Sequence, residues 1–353
     1  MATLYEKVYG CLAASRVASS MGAAVEGWHA DKIKETYGWV NQFYSYCHYG
    51  YRGVTWQRMP GTTEDGIERQ KLMCRAIIAK GDRITADDLG KVAAEVVDPE
   101  KSWFMSEPDD TRLIKFLKTG VAATEVGRLM AWHGTNGVAR ASHPIGLINA
   151  CDPESAFRDA ADVGRMIFAS DDIALVWAGV YDAAIAAACK PDATVASVLD
   201  EALSLAPEPV KREINRGLDI VQRTGSFDDA RTEFYKIYNG FGTMYAMSSA
   251  AETVSKALAM FWLAKGDAKT AIEYGVNMGR DTDCLAAMAG GLSGALSGIG
   301  TVPQEWVEQI DKATFANPYT NTQVTIQEHA DGIYGAILKR AAKMRVLADL
   351  LCA

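Results

Sequence analysis

Apolar residues recur at helical spacing wherever a period is visible along the chain. Four stretches place apolar positions at i, i+3, i+4 and i+7: TADDLGKVAAEVV from Thr85, PESAFRDAADVGRMIFA from Pro153, AAETVSKALAMFWLAKGD from Ala250 and IYGAILKRAAKMRVLADLL from Ile333. No stretch alternates apolar and polar residues for long enough to predict a sheet. The pattern therefore predicts an all-α protein, and a length of 353 residues allows one large domain or two.

The least regular segments are 28–62, 100–115, 134–152 and 225–248, where Gly, Pro, Asn and aromatic residues concentrate. Between Trp28 and Trp56 the aromatic residues are dense enough for two interpretations, a packed loop or a surface on which a base or sugar stacks. The glycine-containing stretch NGFGTMYAM, from Asn239, suggests a loop that closes over a cleft.

The stretch GRDTDCLAAMAGGLSGALSGIG, from Gly279 to Gly300, predicts an unusual helix. Small residues recur in two series at every fourth position: Ala287, Gly291 and Ala295, and Gly290, Gly294 and Gly298. Each glycine costs roughly 1 kcal/mol of helix stability relative to alanine, so a helix this rich in glycine needs a compensating reason. The usual reason is close approach by neighbouring backbones, which predicts a central helix.

Charge and cysteine usage narrow the choice of partners and compartment. Lys and Arg number 36 against 44 Asp and Glu, a net charge of -8 without a basic run, which argues against nucleic acid and anionic membranes as partners. The seven cysteines are scattered and never form CxxC, so a reducing, cytoplasmic location is expected. The longest apolar stretch, from Ile173, is interrupted by Asp182 and is too short to span a bilayer. We expect a small-molecule or protein partner.

Two acidic clusters carry the candidate chemistry. Asp281 and Asp283 come directly before the small-residue helix, and Thr63, Glu64 and Asp65 stand in MPGTTEDGIERQ between a Pro-Gly turn and a helical stretch. Either cluster alone is explained by helix capping and the helix dipole. Together, the two clusters would supply hard oxygen ligands for one or two Mg²⁺ or Mn²⁺ ions.

Four segments in order resemble the ADP-ribosylglycohydrolase family, which includes the dinitrogenase-reductase-activating glycohydrolases. They are GCLAASRVASSMGAAVEGW, TTEDG, NGVARASHPIGLINA and GRDTDCLAAMAGGLSGALSGIGTVP. The last, similar to the family's Gly-Gly-Asp-Thr-Asp-Thr motif and its following helix, is the most specific. The resemblance extends from Gly10 to about Pro303.

The resemblance implies a single compact multi-helix bundle that forms one domain over residues 1–353. It also implies two Mg²⁺ or Mn²⁺ ions at the bottom of a cleft. By position, the implied metal ligands are Thr63, Glu64, Asp65, Asp281, Asp283 and Cys284, with Asp283 bridging both ions. Glu26 matches the family's active-site glutamate, so Glu26 and Asp283 are the implied catalytic residues. The implied substrate-binding residues are Asn136, Gly137, His143 and Arg280, although His143 packed beside Pro144 is an equal alternative.

This sequence departs from the family pattern at the site itself. Glu64 replaces the first Asp of Thr-Asp-Asp, Ser20 stands where Asp is common, and Cys284 replaces a Thr ligand; a neutral thiol is a poor partner for Mg²⁺. One of the two metal sites is therefore uncertain. Arg280 replaces the second Gly of the motif, and it either binds a substrate anion or pairs with Glu64 or Asp281.

The function implied is metal-dependent hydrolysis of a glycosidic bond at the anomeric carbon of ribose. The substrate is an ADP-ribosylated molecule or a smaller N-ribosyl compound, with Glu26 or a ligating carboxylate transferring the proton. The alternative is a non-catalytic, crystallin-like or metal-binding structural member of the same fold.

Overall fold

The computed structural model describes residues 1–47, 55–102, 108–129, 134–168, 172–239 and 247–352. In these ranges the chain forms 18 α-helices and a 3-10 turn at Ile299–Thr301, and no strand. The helices are α1 Leu4–Ala23, α2 Ala30–Tyr37, α3 Asp65–Lys80, α4 Ala86–Val96, α5 Pro99–Ser102, α6 Pro108–Lys118, α7 Ala123–Gly127, α8 His143–Ile148, α9 Pro153–Phe168, α10 Asp172–Ala188, α11 Val195–Leu205, α12 Glu208–Thr224, α13 Phe227–Ile237, α14 Ala250–Leu263, α15 Ala268–Asn277, α16 Thr282–Ser297, α17 Gln304–Ala316 and α18 Ile326–Leu351.

The four periodic stretches all form helices, namely α4, α9, α14 and α18, which confirms the all-α prediction. Two of them start with ordinary capping chemistry: Thr85 and Thr325 close capping boxes at the N-termini of α4 and α18. The segments predicted to be least regular nevertheless contain α2, α8 and α13. Helices α2 and α8 have only 8 and 6 residues, too short for a clear apolar period, whereas α13 has 11 residues, as many as α4.

Helix α16 is the predicted central helix, and α1 crosses it in close contact. Every residue of α16 from Thr282 to Ala295 is buried. A Cβ atom added to Gly10 would lie 2.6 Å from the carbonyl oxygen of Gly294, and one added to Gly22 would lie 2.6 Å from the Cα of Asp283. Within α16, a Cβ added to Gly294 would lie 2.2 Å from the carbonyl oxygen of Gly10, so close backbone approach requires this glycine. Gly290 and Gly291 instead leave room for the side chains of Ile272 and His143.

Two isolated antiparallel bridges fasten irregular segments near the start of α16. The first pairs Thr135 with Ser249, so the segment that carries Asn136 is tied to the start of α14. The second pairs the backbones of Tyr46 and Arg58, and the side chains of both residues contact Glu64. Among the described residues, no helix combines the length and the hydropathy that crossing a membrane requires.

Candidate metal centre

A left-handed turn delivers the two aspartates of α16 to the site. Gly279 has φ +80° and Arg280 has φ +66°, and the Arg280 amide donates to the Trp28 carbonyl at 2.8 Å. The Gly27 amide returns a 2.8 Å hydrogen bond to the Arg280 carbonyl. The segment that follows α1, with Glu26 in it, is thereby fixed against the beginning of α16.

Asp281 occupies the N-cap position of α16, but its side chain makes no capping hydrogen bond. Its Oδ2 instead accepts a 2.8 Å hydrogen bond from the side-chain amide of Asn136, which is itself buried. Capping therefore explains where Asp281 stands in the helix, but not the direction of its carboxylate.

The side chains of Asp281, Asp283 and Cys284 converge in a buried cluster. One candidate ligand atom from each lies within 4.8 Å of the others. Asp281 is 2% exposed and Asp283 is 3% exposed. In the described part of the chain, neither Oδ1 of Asp281 nor Oδ1 of Asp283 has a hydrogen-bond partner. Two buried carboxylates with uncompensated oxygen atoms are costly unless a cation balances them, so this cluster could hold a metal ion.

The electrostatics of the cluster agree with that interpretation. Burial raises the pKa of Asp281, and the charge of Glu26 raises it further. Burial also raises the pKa of Asp283 well above its ordinary value, with Asp281 adding to the effect. The Cys284 thiol has a raised pKa for the same reason, burial, although Arg140 opposes it. The pair of aspartates is thus in an environment that disfavours two bare negative charges.

Asp65, the first residue of α3, is brought to this cluster by a guanidinium group. Arg140 donates through one terminal nitrogen to Asp65 Oδ2 and through the other to Cys284 Sγ at 3.2 Å. Arg69 also pairs with Asp65, at 3.1 Å. Burial alone would raise the pKa of Asp65, but Arg140 and Arg69 bring it below the ordinary value.

Glu64, the residue before Asp65, is held by the side chains of Tyr46 and Arg58. The Tyr46 hydroxyl and an Arg58 terminal nitrogen both donate to Glu64 Oε1. The negative charge of Glu64 contributes to the raised pKa of Asp283, so the two acidic clusters are electrostatically linked. Thr63, which precedes Glu64, is buried at 2% exposure.

The predicted site residues Glu26, Gly137 and Cys284 differ in burial and in their contacts. Glu26 is partly exposed just beyond the end of α1, and its charge acts on both Asp281 and Cys284. Gly137 is buried beside Asn136. Cys284 contacts Asp283, with its thiol 3.5 Å from Asp283 Oδ2.

His143 lies in the core, behind the carboxylates. Its ring is fully buried, with a nitrogen 3.2 Å from the Ala287 carbonyl and 3.0 Å from the Tyr181 hydroxyl. A Cβ added to Gly291 would lie 2.4 Å from His143 Nε2, so the imidazole packs directly on the glycine face of α16. This geometry agrees with the alternative in which His143 is a packed core residue and not a substrate-binding one.

Arg280 forms a structural ion pair, but with neither of the two partners considered from the sequence. Its Nε and a terminal nitrogen donate to the two oxygens of Glu252 at 2.7 and 2.9 Å, and Glu252 also pairs with Lys256 at 2.7 Å. Glu252 lies in α14, a helix whose place against the site could not be read from the sequence.

Arginines are the feature of this site that sequence reasoning missed. Arg140 stands within NGVARASHPIG, the quoted segment, only four residues after Asn136, and Arg58 precedes TTEDG by four residues. Their proximity to the acidic motifs was the available signal.

In the aromatic stretch, Trp28 and Tyr44 each stack on Tyr37, with ring centroids 6.0 and 4.2 Å from that of Tyr37. Residues 48–54, including Tyr49 and Tyr51, and 240–246 of the proposed closing loop lie outside the described residues.

Comparison with known proteins identifies the family. The sequence model of the ADP-ribosylglycohydrolase family matches residues 1–342. The chain belongs to the ADP-ribosylglycohydrolase family. A solved ADP-ribosylglycohydrolase-related protein complex has the same fold, with a TM-score of 0.63 and 17% identity, covering 96% of this chain and 98% of its own.

Two relatives cover nearly the whole ADP-ribosylglycohydrolase-like chain. The uncharacterized protein YegU of Escherichia coli (strain K12) is 24% identical over 327 residues, 87% of this chain and 92% of its own. An uncharacterized protein of Archaeoglobus fulgidus is 23% identical over 330 residues, 88% of this chain and 93% of its own. Membership of the ADP-ribosylglycohydrolase family indicates glycosidic hydrolysis as the general chemistry.

Proposed function

We propose that the protein hydrolyses a glycosidic bond at the anomeric carbon of ribose, in an ADP-ribosylated molecule or a smaller N-ribosyl compound. The observation that carries this proposal is the buried Asp281–Asp283 pair, whose Oδ1 atoms lack hydrogen-bond partners in the described part of the chain. Family membership supplies the reaction class. The donor set is carboxylate oxygen, which suits Mg²⁺ or Mn²⁺.

Asp281 and Asp283 would hold the cation, and Asn136 would keep the Asp281 carboxylate turned toward it. A divalent cation bound there supplies Lewis acidity, which orients ribose hydroxyl groups and lowers the pKa of a water molecule. The Cys284 thiol, raised in pKa by burial, is a poor ligand for either ion.

Glu26 would be the proton-transfer group. It is partly exposed, whereas the aspartates are buried, and its charge reaches Asp281 across the same site. A carboxylate placed beside the reacting carbon can take a proton from the attacking water or give one to the leaving group, as the oxocarbenium-like transition state requires. Arg280, engaged by both oxygens of Glu252, has a structural role in this scheme.

The experiment is a substrate screen with the full chain. ADP-ribosyl-arginine, ADP-ribosyl-serine and simple nucleosides are incubated with the protein in the presence of Mg²⁺ or Mn²⁺, and after chelation. We expect at least one substrate to release its ribosyl group only when the cation is present. Absence of turnover together with absence of Mn²⁺ uptake would contradict the proposal and favour the non-catalytic alternative.

A further inference from the structure

The carboxylates of the Thr63–Asp65 segment already face cationic groups from the protein. Asp65 accepts from Arg140 and pairs with Arg69 at 3.1 Å, while Glu64 accepts from Arg58 and from the Tyr46 hydroxyl. A second divalent cation on this side would need oxygen atoms from these same carboxylates. It would also have to lie beside guanidinium groups that stay protonated at every ordinary pH.

Arg140 reaches from one acidic cluster to the other. Its terminal nitrogens contact Asp65 Oδ2 on one side and Cys284 Sγ on the other at 3.2 Å, with Asp283 Oδ2 at 3.9 Å. A bridging position between Asp65 and Asp283 is where a second cation of a binuclear centre would have to stand. Here that position holds a fixed positive charge whose side chain is only 14% exposed.

The Arg140 side chain packs against a glycine, Gly66. A Cβ added to Gly66 would lie 3.1 Å from Arg140 Cδ, so the side chain passes directly over the first turn of α3. The Arg140 guanidinium is thus packed as well as paired. Charge and packing together resist its displacement by an incoming ion.

On the opposite side of the site the carboxylates are compensated less. Burial raises the pKa of Asp283 more than Arg140, 3.9 Å from its Oδ2, lowers it. The Oδ1 atoms of Asp281 and Asp283 are buried and, within the described residues, without hydrogen-bond partners. These two oxygens can therefore accept one divalent cation without displacing an existing contact.

We propose that Arg140 replaces one cation of the binuclear centre, so that the protein binds a single Mg²⁺ or Mn²⁺ ion, at Asp281 and Asp283. This inference rests on the metal dependence in the proposed function, but it does not depend on the substrate. It assigns Asp65 to an ion pair instead of to metal ligation, and it differs from the two ions that the resemblance implies.

The test is Mn²⁺ stoichiometry, measured on the full chain by calorimetric titration with Mn²⁺ alone and by electron paramagnetic resonance. We expect one ion per chain and the six-line signal of an isolated Mn²⁺. Two ions, or the signal of a coupled pair, would overturn the inference and leave the proposed hydrolysis intact. No bound Mn²⁺ would overturn both, whereas one bound ion without turnover of any substrate would contradict only the proposed function.

Variants test where the ion binds and whether the Arg140 guanidinium takes the place of a second ion. Asp283→Asn should abolish binding, while Asp65→Asn should still bind one ion, since Asp65 supplies no ligand atom in this assignment. Loss of the ion in Asp65→Asn would overturn the inference.

The Arg140→Met protein should bind a second Mn²⁺, and the Arg140→Lys protein should not. A single ion in a folded Arg140→Met protein would contradict the proposal that Arg140 takes the place of a cation. If Arg140→Met does not fold, the Asp65→Asn and Asp283→Asn comparison decides.

Discussion

The side-chain amide of Asn136 donates a 2.8 Å hydrogen bond to Asp281 Oδ2, across 145 residues of sequence. The same amide lies 3.2 Å from the Thr253 hydroxyl, and the Asn136 backbone amide is bonded to the Ser248 carbonyl at 2.8 Å. Hydrogen bonds therefore fix both the backbone and the side chain of Asn136. Asn136 thus occupies one oxygen of Asp281, and the other, Oδ1, has no hydrogen-bond partner among the described residues.

Asn136→Ala should weaken Mn²⁺ binding by about 10- to 100-fold, since loss of a group that orients a ligand typically has this effect. The measurement is calorimetric titration with Mn²⁺. Thr253→Val is the matched control: it removes the weaker contact of the same amide but keeps the bond to Asp281. We expect the control to bind within a few-fold of the wild type, and equal losses in both variants would contradict the assigned role.

The Gly22–Asp283 contact should make the site sensitive to a single methyl group. Gly22→Ala places a Cβ 2.6 Å from the Asp283 Cα, so α1 and α16 must separate, at a cost of about 1–3 kcal/mol in the free energy of unfolding. Gly335→Ala, in α18, has no atom within 4 Å of the new Cβ and should stabilise the protein by up to about 1 kcal/mol. Urea denaturation measures both. A Gly22→Ala protein as stable as the wild type would refute the close packing.

Arg280 combines a left-handed backbone with an ion pair, and two substitutions separate these effects. Both Arg280→Gly and Arg280→Ala remove the pair with Glu252, but only alanine keeps the steric cost of φ +66°. We therefore expect the glycine variant to be more stable than the alanine variant by about 1 kcal/mol. Thermal and urea unfolding give the comparison. An alanine variant at least as stable as the glycine variant would contradict the strain at this position.

Buried His143 should make stability fall in mild acid. Burial lowers its pKa from 6.5 to about 4, so the folded state keeps the ring neutral while the unfolded chain takes up a proton below pH 6.5. Stability from this group is complete above pH 6.5 and is lost as pH falls toward 4, by about 2 kcal/mol at pH 5. His143→Gln should reduce the pH dependence of unfolding between pH 7.5 and 5 by that amount. An unchanged pH dependence would contradict the buried neutral ring.

How much the sequence could predict depended on whether a residue acts within its own helix or across helices. The period of α4, α9, α14 and α18, and the glycine spacing of α16, are local signals, and the structure confirms them. The approach of Asp65 to Cys284 through Arg140 depends on how α3, α16 and the segment after Asn136 pack together. Likewise, the partner of Arg280 is on α14, 28 residues away, and no local pattern points to Glu252.

The rate of ribosyl release by Asp283→Asn shows whether the Asp281–Asp283 pair supports glycosidic cleavage. The assay uses the substrate found in the screen, saturating Mn²⁺ and chromatographic detection of the released ribosyl product. Asp267→Asn, at the N-cap of α15, is the matched control: its side chain accepts a capping bond from the Thr270 amide. Melting temperatures verify that both variants are folded.

We expect Asp283→Asn to lose about 10³-fold or more of the rate, since cation-dependent stabilisation of several kcal/mol is removed, while Asp267→Asn keeps the wild-type rate. A folded Asp283→Asn protein that retains a rate within tenfold of the wild type would show that the aspartate pair is not needed for cleavage.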